Sequence, residues 1–137
     1  MSRSIFIDTT AWLALINKSD DFFNKACSIR DELLKDGCHF FVTNYIIVEI
    51  ANSLSRKVWR NRAISLINFI YNSDDIEVIE VNKEIYNQAL EIYKHRQDKE
   101  WGLTDCTSFI VMSTNGIAEA FTNDRHFEQA GFIALLK

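Results

Sequence analysis

Proline is missing from this chain altogether, and glycine occurs only four times. Polar turns and a handful of glycines must therefore do all the punctuation between helices and strands. Cysteine is nearly as scarce: Cys27, Cys38 and Cys106 are odd in number, lie far apart and form no C-x-x-C pair. That excludes a disulfide framework and a cysteine-held zinc, and it reads as reduced thiols in a cytosolic protein. The histidines, His39, His95 and His126, are too scattered to build a zinc site among themselves. No apolar run approaches a membrane span and the N-terminus carries no signal-peptide h-region, so the expected location is cytoplasmic, with no membrane partner. Positive charge is in deficit, with 15 Lys and Arg against 19 Asp and Glu and a formal net charge of −4. This excludes a general nucleic-acid binder drawn in by a global positive field. It does not exclude a nuclease whose acidic ligands are offset by bound cations. Neither G-x-x-x-x-G-K-[ST] nor G-x-G-x-x-G occurs, so no nucleotide-cradling loop is expected.

What is present fits one domain over residues 1–137, long enough to bury a real core at 47% hydrophobic residues. The stretch Ser4–Trp12 sets the organisation. Ile5, Phe6 and Ile7 run without a polar break and stop at Asp8, as in a strand buried on both faces of a parallel sheet. Asp8 then lies at the carboxyl end of that strand, where open α/β sheets place their ligands. Either Thr9 or Thr10 is suited to cap the helix that follows.

A second helix is expected from Asp20 or Asp21 to Lys35, stopped at Gly37, and a second strand over His39–Val42. Thr43-Asn44 caps a helix from Tyr45 to about Arg56, with Ile46, Ile47, Ile50, Ala51 and Leu54 as its buried stripe and Glu49 at the flank. A helix over Ala63–Tyr71 and a half-exposed edge strand over Ile76–Val81 come next. Asn82 caps a long helix closed by Lys94, His95 and Arg96. Thr104 is the expected cap of a helix to Thr114, with Asp105 in its first turn. A strand over Glu119–Thr122, a short helix over Arg125–Ala130 capped by Asp124, and an edge strand over Phe132–Leu136 complete the chain. The order β-α-α-β-α-α-β-α-α-β-α-β predicts a three-layer α/β/α fold around a mostly parallel sheet of about five strands.

Glu49 alone reads as a solvated flank residue, Asp105 as a first-turn acid and Asp124 as a helix cap. Taken together, all three enter from the sheet edge that holds Asp8. Carboxylates gathered in one pocket repel and raise one another's pKa unless cations occupy it. Oxygen-only donors favour Mg²⁺ or Mn²⁺. A pair of such ions ~3.5–4 Å apart suits in-line attack of water on a phosphodiester, one promoting hydroxide and the other stabilising the leaving oxygen. Thr10 and Thr104 are placed to hold a ligating carboxylate or a water. His126 lies near this pocket but is not expected to bind metal, and Cys106 beside Asp105 has no histidine partner for thiol chemistry.

Ile7-Asp8-Thr9-Thr10, Val48-Glu49-Ile50, Leu103-Thr104-Asp105-Cys106 and Phe121-Thr122-Asn123-Asp124 span nearly the whole chain. In that order and at those intervals they resemble a PIN domain, the nuclease fold that includes the VapC-type toxins of bacterial toxin–antitoxin pairs. The resemblance implies a Mg²⁺- or Mn²⁺-dependent endoribonuclease with Asp8, Glu49, Asp105 and Asp124 as catalytic and metal-binding acids. It also implies a homodimer, and for a toxin a small antitoxin that blocks the acidic pocket with a basic side chain. Arg56, Lys57, Arg60 and Arg62, with Arg96 and Lys99, are the candidates for RNA-backbone contact. Three other readings remain open: a PIN nuclease of RNA processing, a non-catalytic RNA- or protein-binding module, and an aspartyl phosphatase. The phosphatase motif wants a second Asp two residues after the first, where this chain has Thr10.

Overall fold

The apolar run at the start of the chain forms β1 (Ser4–Ile7), the middle strand of a five-stranded, wholly parallel sheet ordered β3-β2-β1-β4-β5. A computed structural model describes residues 3–137. From β1 the chain passes through α1 (Thr9–Ile16) and α2 (Phe23–Lys35) to β2 (His39–Thr43). Next come α3 (Asn44–Ser53), α4 (Lys57–Asn72) and β3 (Ile76–Ile79) at one edge. It then crosses back through α5 (Lys83–His95) and α6 (Leu103–Thr114) to β4 (Glu119–Phe121), on the other side of β1. α7 (Arg125–Gln129) leads to β5 (Ile133–Ala134) at the far edge. Right-handed crossovers then place α1–α4 on one face and α5–α7 on the other, which gives the expected three layers.

Burial accounts for the apolar runs. Ile5, Phe6, Val42 and Ala120 are wholly inaccessible, because central parallel strands are covered on both faces. The α6–α7 side is built from aromatic rings: Phe109 packs edge-on to Trp101 and Phe127 at 5.1 Å, and Phe127 reaches Phe6 at 6.3 Å. Gly37 and Gly116 each follow a helix with φ of 65°, a left-handed turn that a side chain would strain.

Several boundaries differ from the sequence reading, and β3 stops at Ile79 rather than Val81. Asp8, not Thr9 or Thr10, precedes the first turn of α1, and both threonines point their hydroxyls at acids. α3 ends at Ser53 rather than Arg56, since Ser55 Oγ donates to the Asn52 carbonyl and closes the helix. α4 correspondingly begins at Lys57, six residues before Ala63. β5 is regular over two residues only, because the chain turns at Leu135 to bury Leu136 completely.

Thr43 performs the capping role read from its sequence: its Oγ1 accepts the Ile46 N–H at 3.1 Å and is fully buried. Thr43→Ala is expected to cost about 1 kcal/mol of unfolding free energy by urea titration. A loss below about 0.3 kcal/mol would show that the cap does not hold α3.

Candidate active site

The sheet reverses direction of growth at β1, with β2 on one side and β4 on the other. This is the topological switch point of an open α/β sheet, and the crevice beyond the strand ends there is its natural ligand site. Asp8 follows β1 directly and Asp124 lies three residues past β4. Glu49 stands in α3, which starts from the same edge after β2, and Asp105 stands in the first turn of α6. The four acids line one 320 Å³ cleft with Thr9, Thr10, Asn52 and Ser53.

Each acid is held by hydrogen bonds from neighbouring groups. Asp8 Oδ2 accepts from Thr122 Oγ1 at 2.8 Å and from Thr10 Oγ1 at 3.2 Å. The same hydroxyls accept the backbone N–H groups of Asp124 and Asn123, so the loop after β4 is tied to Asp8. Thr9 Oγ1 donates to Glu49 Oε1 at 2.6 Å, and Gly102 N–H donates to Asp105 Oδ2 at 3.0 Å. Asp124 Oδ1 caps α7 by accepting the His126 N–H at 2.9 Å. Among the described residues, Glu49 Oε2, Asp105 Oδ1 and Asp124 Oδ2 accept no hydrogen bond. The structural and ligand readings of Asp105 and Asp124 are therefore compatible: one oxygen secures a helix start and the other is left over.

The electrostatics are unfavourable as they stand. Burial, reinforced by the charges of Asp105 and Glu49, pushes the Asp8 carboxyl up to about 7, against the opposing Thr122 and Thr9 hydrogen bonds. Burial likewise raises Glu49, with Asp105 and Asp124 adding and Thr9 opposing. Asp105 is raised by burial too, with Asp124 adding while the Gly102 N–H and His126 oppose. Among the described residues no lysine or arginine lines the cleft. An all-oxygen donor set with free lone pairs and no internal cation fits a hard divalent ion.

Of the residues picked from sequence, Asp8, Glu49, Asp105 and Asp124 are brought together and Thr10 supports Asp8. Thr104 is not the cap expected: Gly102 is the residue before α6, Thr104 lies within the helix, and its carbonyl accepts from Thr107 Oγ1 at 2.6 Å. Thr10, where the phosphatase motif wants an acid, donates to Asp8 instead. Arg56, Lys57, Arg60 and Arg62 are exposed around the start of α4 and do not line the cleft. Arg60 donates to the Ser55 carbonyl, and Arg62 lies 4.9 Å over the Trp59 ring. Arg96 pairs with Asp98 at 3.0 Å and stacks over Trp101, and with Lys99 it lines a groove reaching Gly102, the donor to Asp105.

Thr9, Thr122 and His126 were not identified from sequence in these roles. Their partners lie 40, 114 and 21 positions away, so no local spacing announces them. His126 Nδ1 sits 3.1 Å from Asp105 Oδ2 and 3.4 Å from Asp124 Oδ1, so a histidine with no expected metal role adjoins two of the acids.

The PIN domain family model matches residues 5–133. The 23S rRNA-specific endonuclease VapC20 of Mycobacterium tuberculosis (strain ATCC 25618 / H37Rv) is 29% identical over 129 residues, covering 94% of this chain and 95% of that protein. The crystal structure of Mycobacterium tuberculosis VapC20, described as a sarcin-ricin loop cleaving toxin, is similar with a TM-score of 0.85. It is 28% identical and covers 94% of this chain and 96% of that one. VapBC2 from Rickettsia felis, bound to a DNA fragment from its promoter, shares the fold at 16% identity and a TM-score of 0.68, over 96% of each chain. With the family model spanning nearly every element around the acidic cleft, this chain belongs to the PIN domain family.

Proposed function

We propose that this protein is a divalent-metal-dependent endoribonuclease and the toxin of a toxin–antitoxin pair. One observation carries the reading: four carboxylates from separate elements converge on a cleft that, among the described residues, no lysine or arginine lines. A phosphodiester brought to this cleft would meet like charge and be repelled unless divalent ions intervened. Asp8, Glu49, Asp105 and Asp124 would hold the ions, which supply Lewis acidity and lower the pKa of water for attack on phosphorus.

The protein contributes fixed placement. Thr122 and Thr10 set the orientation of the buried Asp8 carboxylate, Thr9 does so for Glu49, and the Gly102 N–H for Asp105. Acids fixed in this way need no rearrangement as charge develops in the reaction. Arg96 and Lys99, in the groove beside Gly102, are the better placed of the two basic groups to touch RNA phosphates. By likeness to the 23S rRNA-specific relative, ribosomal RNA is the substrate class to test first.

A 270 Å³ apolar groove supports a protein partner. Its lining includes Ile7, Trp12 and Leu34 on the α1–α2 side and Leu66 and Phe69 from α4, and Leu34 and Phe69 are each more than half exposed. We assign to it a small antitoxin, as the toxin reading requires. The homodimer implied by the resemblance is checked by light scattering of the purified chain.

Purified protein is expected to cut RNA with Mn²⁺ or Mg²⁺, to stop on chelation and to recover when the ion is returned. Cleavage untouched by chelation would overturn the metal requirement, and none under any ion would overturn the nuclease. For the toxin role, expression alone is expected to arrest bacterial growth; unimpaired growth would leave a nuclease of another purpose.

A further inference from the structure

His126 is the second residue of α7, and that short helix is rigidly seated. Its next residue, Phe127, is fully buried between Phe6 and Phe109. The His126 N–H is donated to Asp124, and the ring turns back so that Nδ1 faces oxygens of two acids carried by different elements. A ring that only supported one carboxylate would need to approach one oxygen. This one is nearly equidistant from two, at 3.1 and 3.4 Å, and one ligand atom from each of Asp105, Asp124 and His126 falls within 4.8 Å of the others. Adjacent ligands of an octahedral ion with bonds of about 2.1 Å lie about 3 Å apart. Both separations are to the oxygens that also secure α6 and α7, Asp105 Oδ2 and Asp124 Oδ1, each of which keeps a further lone pair. They match two edges of one octahedral face. The three side chains are only about one-fifth to one-quarter exposed, which keeps the face partly dry yet open to entry.

We propose that His126 Nδ1 joins Asp105 and Asp124 as the third ligand of one divalent ion, a mixed nitrogen–oxygen face that favours Mn²⁺ over Mg²⁺. The inference rests on the metal-dependent reading above and adds a donor beyond its four acids. Imidazole suits transition metals, whereas Mg²⁺ prefers oxygen and holds its waters, so one nitrogen tilts the choice between the two ions. Ligation uses the Nδ1 lone pair, leaving the ring proton on Nε2.

The test uses the whole chain, stripped by a chelator and loaded with one equivalent of Mn²⁺, read by pulsed electron paramagnetic resonance. The expected spectrum carries a nitrogen coupling that changes on ¹⁵N-histidine labelling, survives in His39→Ala and His95→Ala, and is absent in His126→Ala. In direct titrations, His126→Ala is expected to weaken Mn²⁺ binding by about 10- to 100-fold while Mg²⁺ binding shifts less than about threefold. Stoichiometric Mn²⁺ with no histidine coupling in the unmodified protein would overturn this inference alone. Failure to bind either ion would overturn it together with the metal-dependent reading.

Discussion

Asp105→Asn is expected to slow metal-supported RNA cleavage by roughly three orders of magnitude, about 4 kcal/mol of transition-state stabilisation. The substitution is close to isosteric, and its side-chain oxygen can still accept the Gly102 N–H that opens α6. Folding is therefore preserved while the negative charge is lost from the cleft. A neutral amide is a poor donor to a hard divalent ion, so that ion's contribution falls away. Asp8→Asn is expected to behave alike, with the added cost of replacing an acceptor of the Thr122 and Thr10 hydroxyls. Single-turnover rates at saturating Mn²⁺, with melting temperature as the control, provide the measurement. Rates within tenfold of wild type for both variants would remove the acids from the chemistry.

The second large effect concerns the protein without metal, which is expected to lose stability as pH rises from about 4.5 to about 7. Asp8 ordinarily titrates at 3.8 and is pushed up to about 7 in the fold, chiefly by burial. The native state thus holds a proton that the unfolded chain has released, and stability falls with pH across that interval. A difference of about three pH units corresponds to roughly 4 kcal/mol, fully lost once pH exceeds the folded value. Glu49 and Asp105, raised by burial, act in the same direction. Glu119 acts in the opposite sense, being lowered by its hydrogen bond with Arg3, but its contribution is complete above its ordinary 4.5. Urea unfolding of chelator-treated protein between pH 4.5 and 8 measures the trend, and Mg²⁺ or Mn²⁺ at pH 8 is expected to reverse it. A flat profile would mean that the cleft tolerates its charges unaided.

The architecture was readable because its signals are local. Ile5–Ile7 is a short apolar run ended by a carboxylate, Thr43 and Asn82 are caps beside amphipathic stretches, and glycines follow α2 and α6. Asp8, Asp105 and Asp124 were readable because each stands at such a boundary. Glu49, in the body of α3, is marked only by its place at the flank of the buried stripe and by the family resemblance. What escaped depends on contacts between distant positions. The first turns of α4, from Lys57 to Arg62, are mostly exposed and present no apolar stripe, so the apolar pattern begins only at Ala63. Thr104 looked like a cap because threonine commonly is one. Gly102 takes that position instead, and Asp105 in the first turn of α6 accepts the Gly102 N–H. Nothing near His126 in sequence shows that α6 delivers Asp105 to its ring.

The sheet order also governs when the cleft comes into being. Its acids are drawn from positions 8, 49, 105 and 124, and β1 cannot gain its second neighbour until β4 emerges. During synthesis, β1, β2 and β3 can pair while the chain still lacks Asp105 and Asp124. The nascent chain thus lacks two of the four cleft acids for most of its synthesis. The cleft is complete only when the loop tying Thr122 to Asp8 closes.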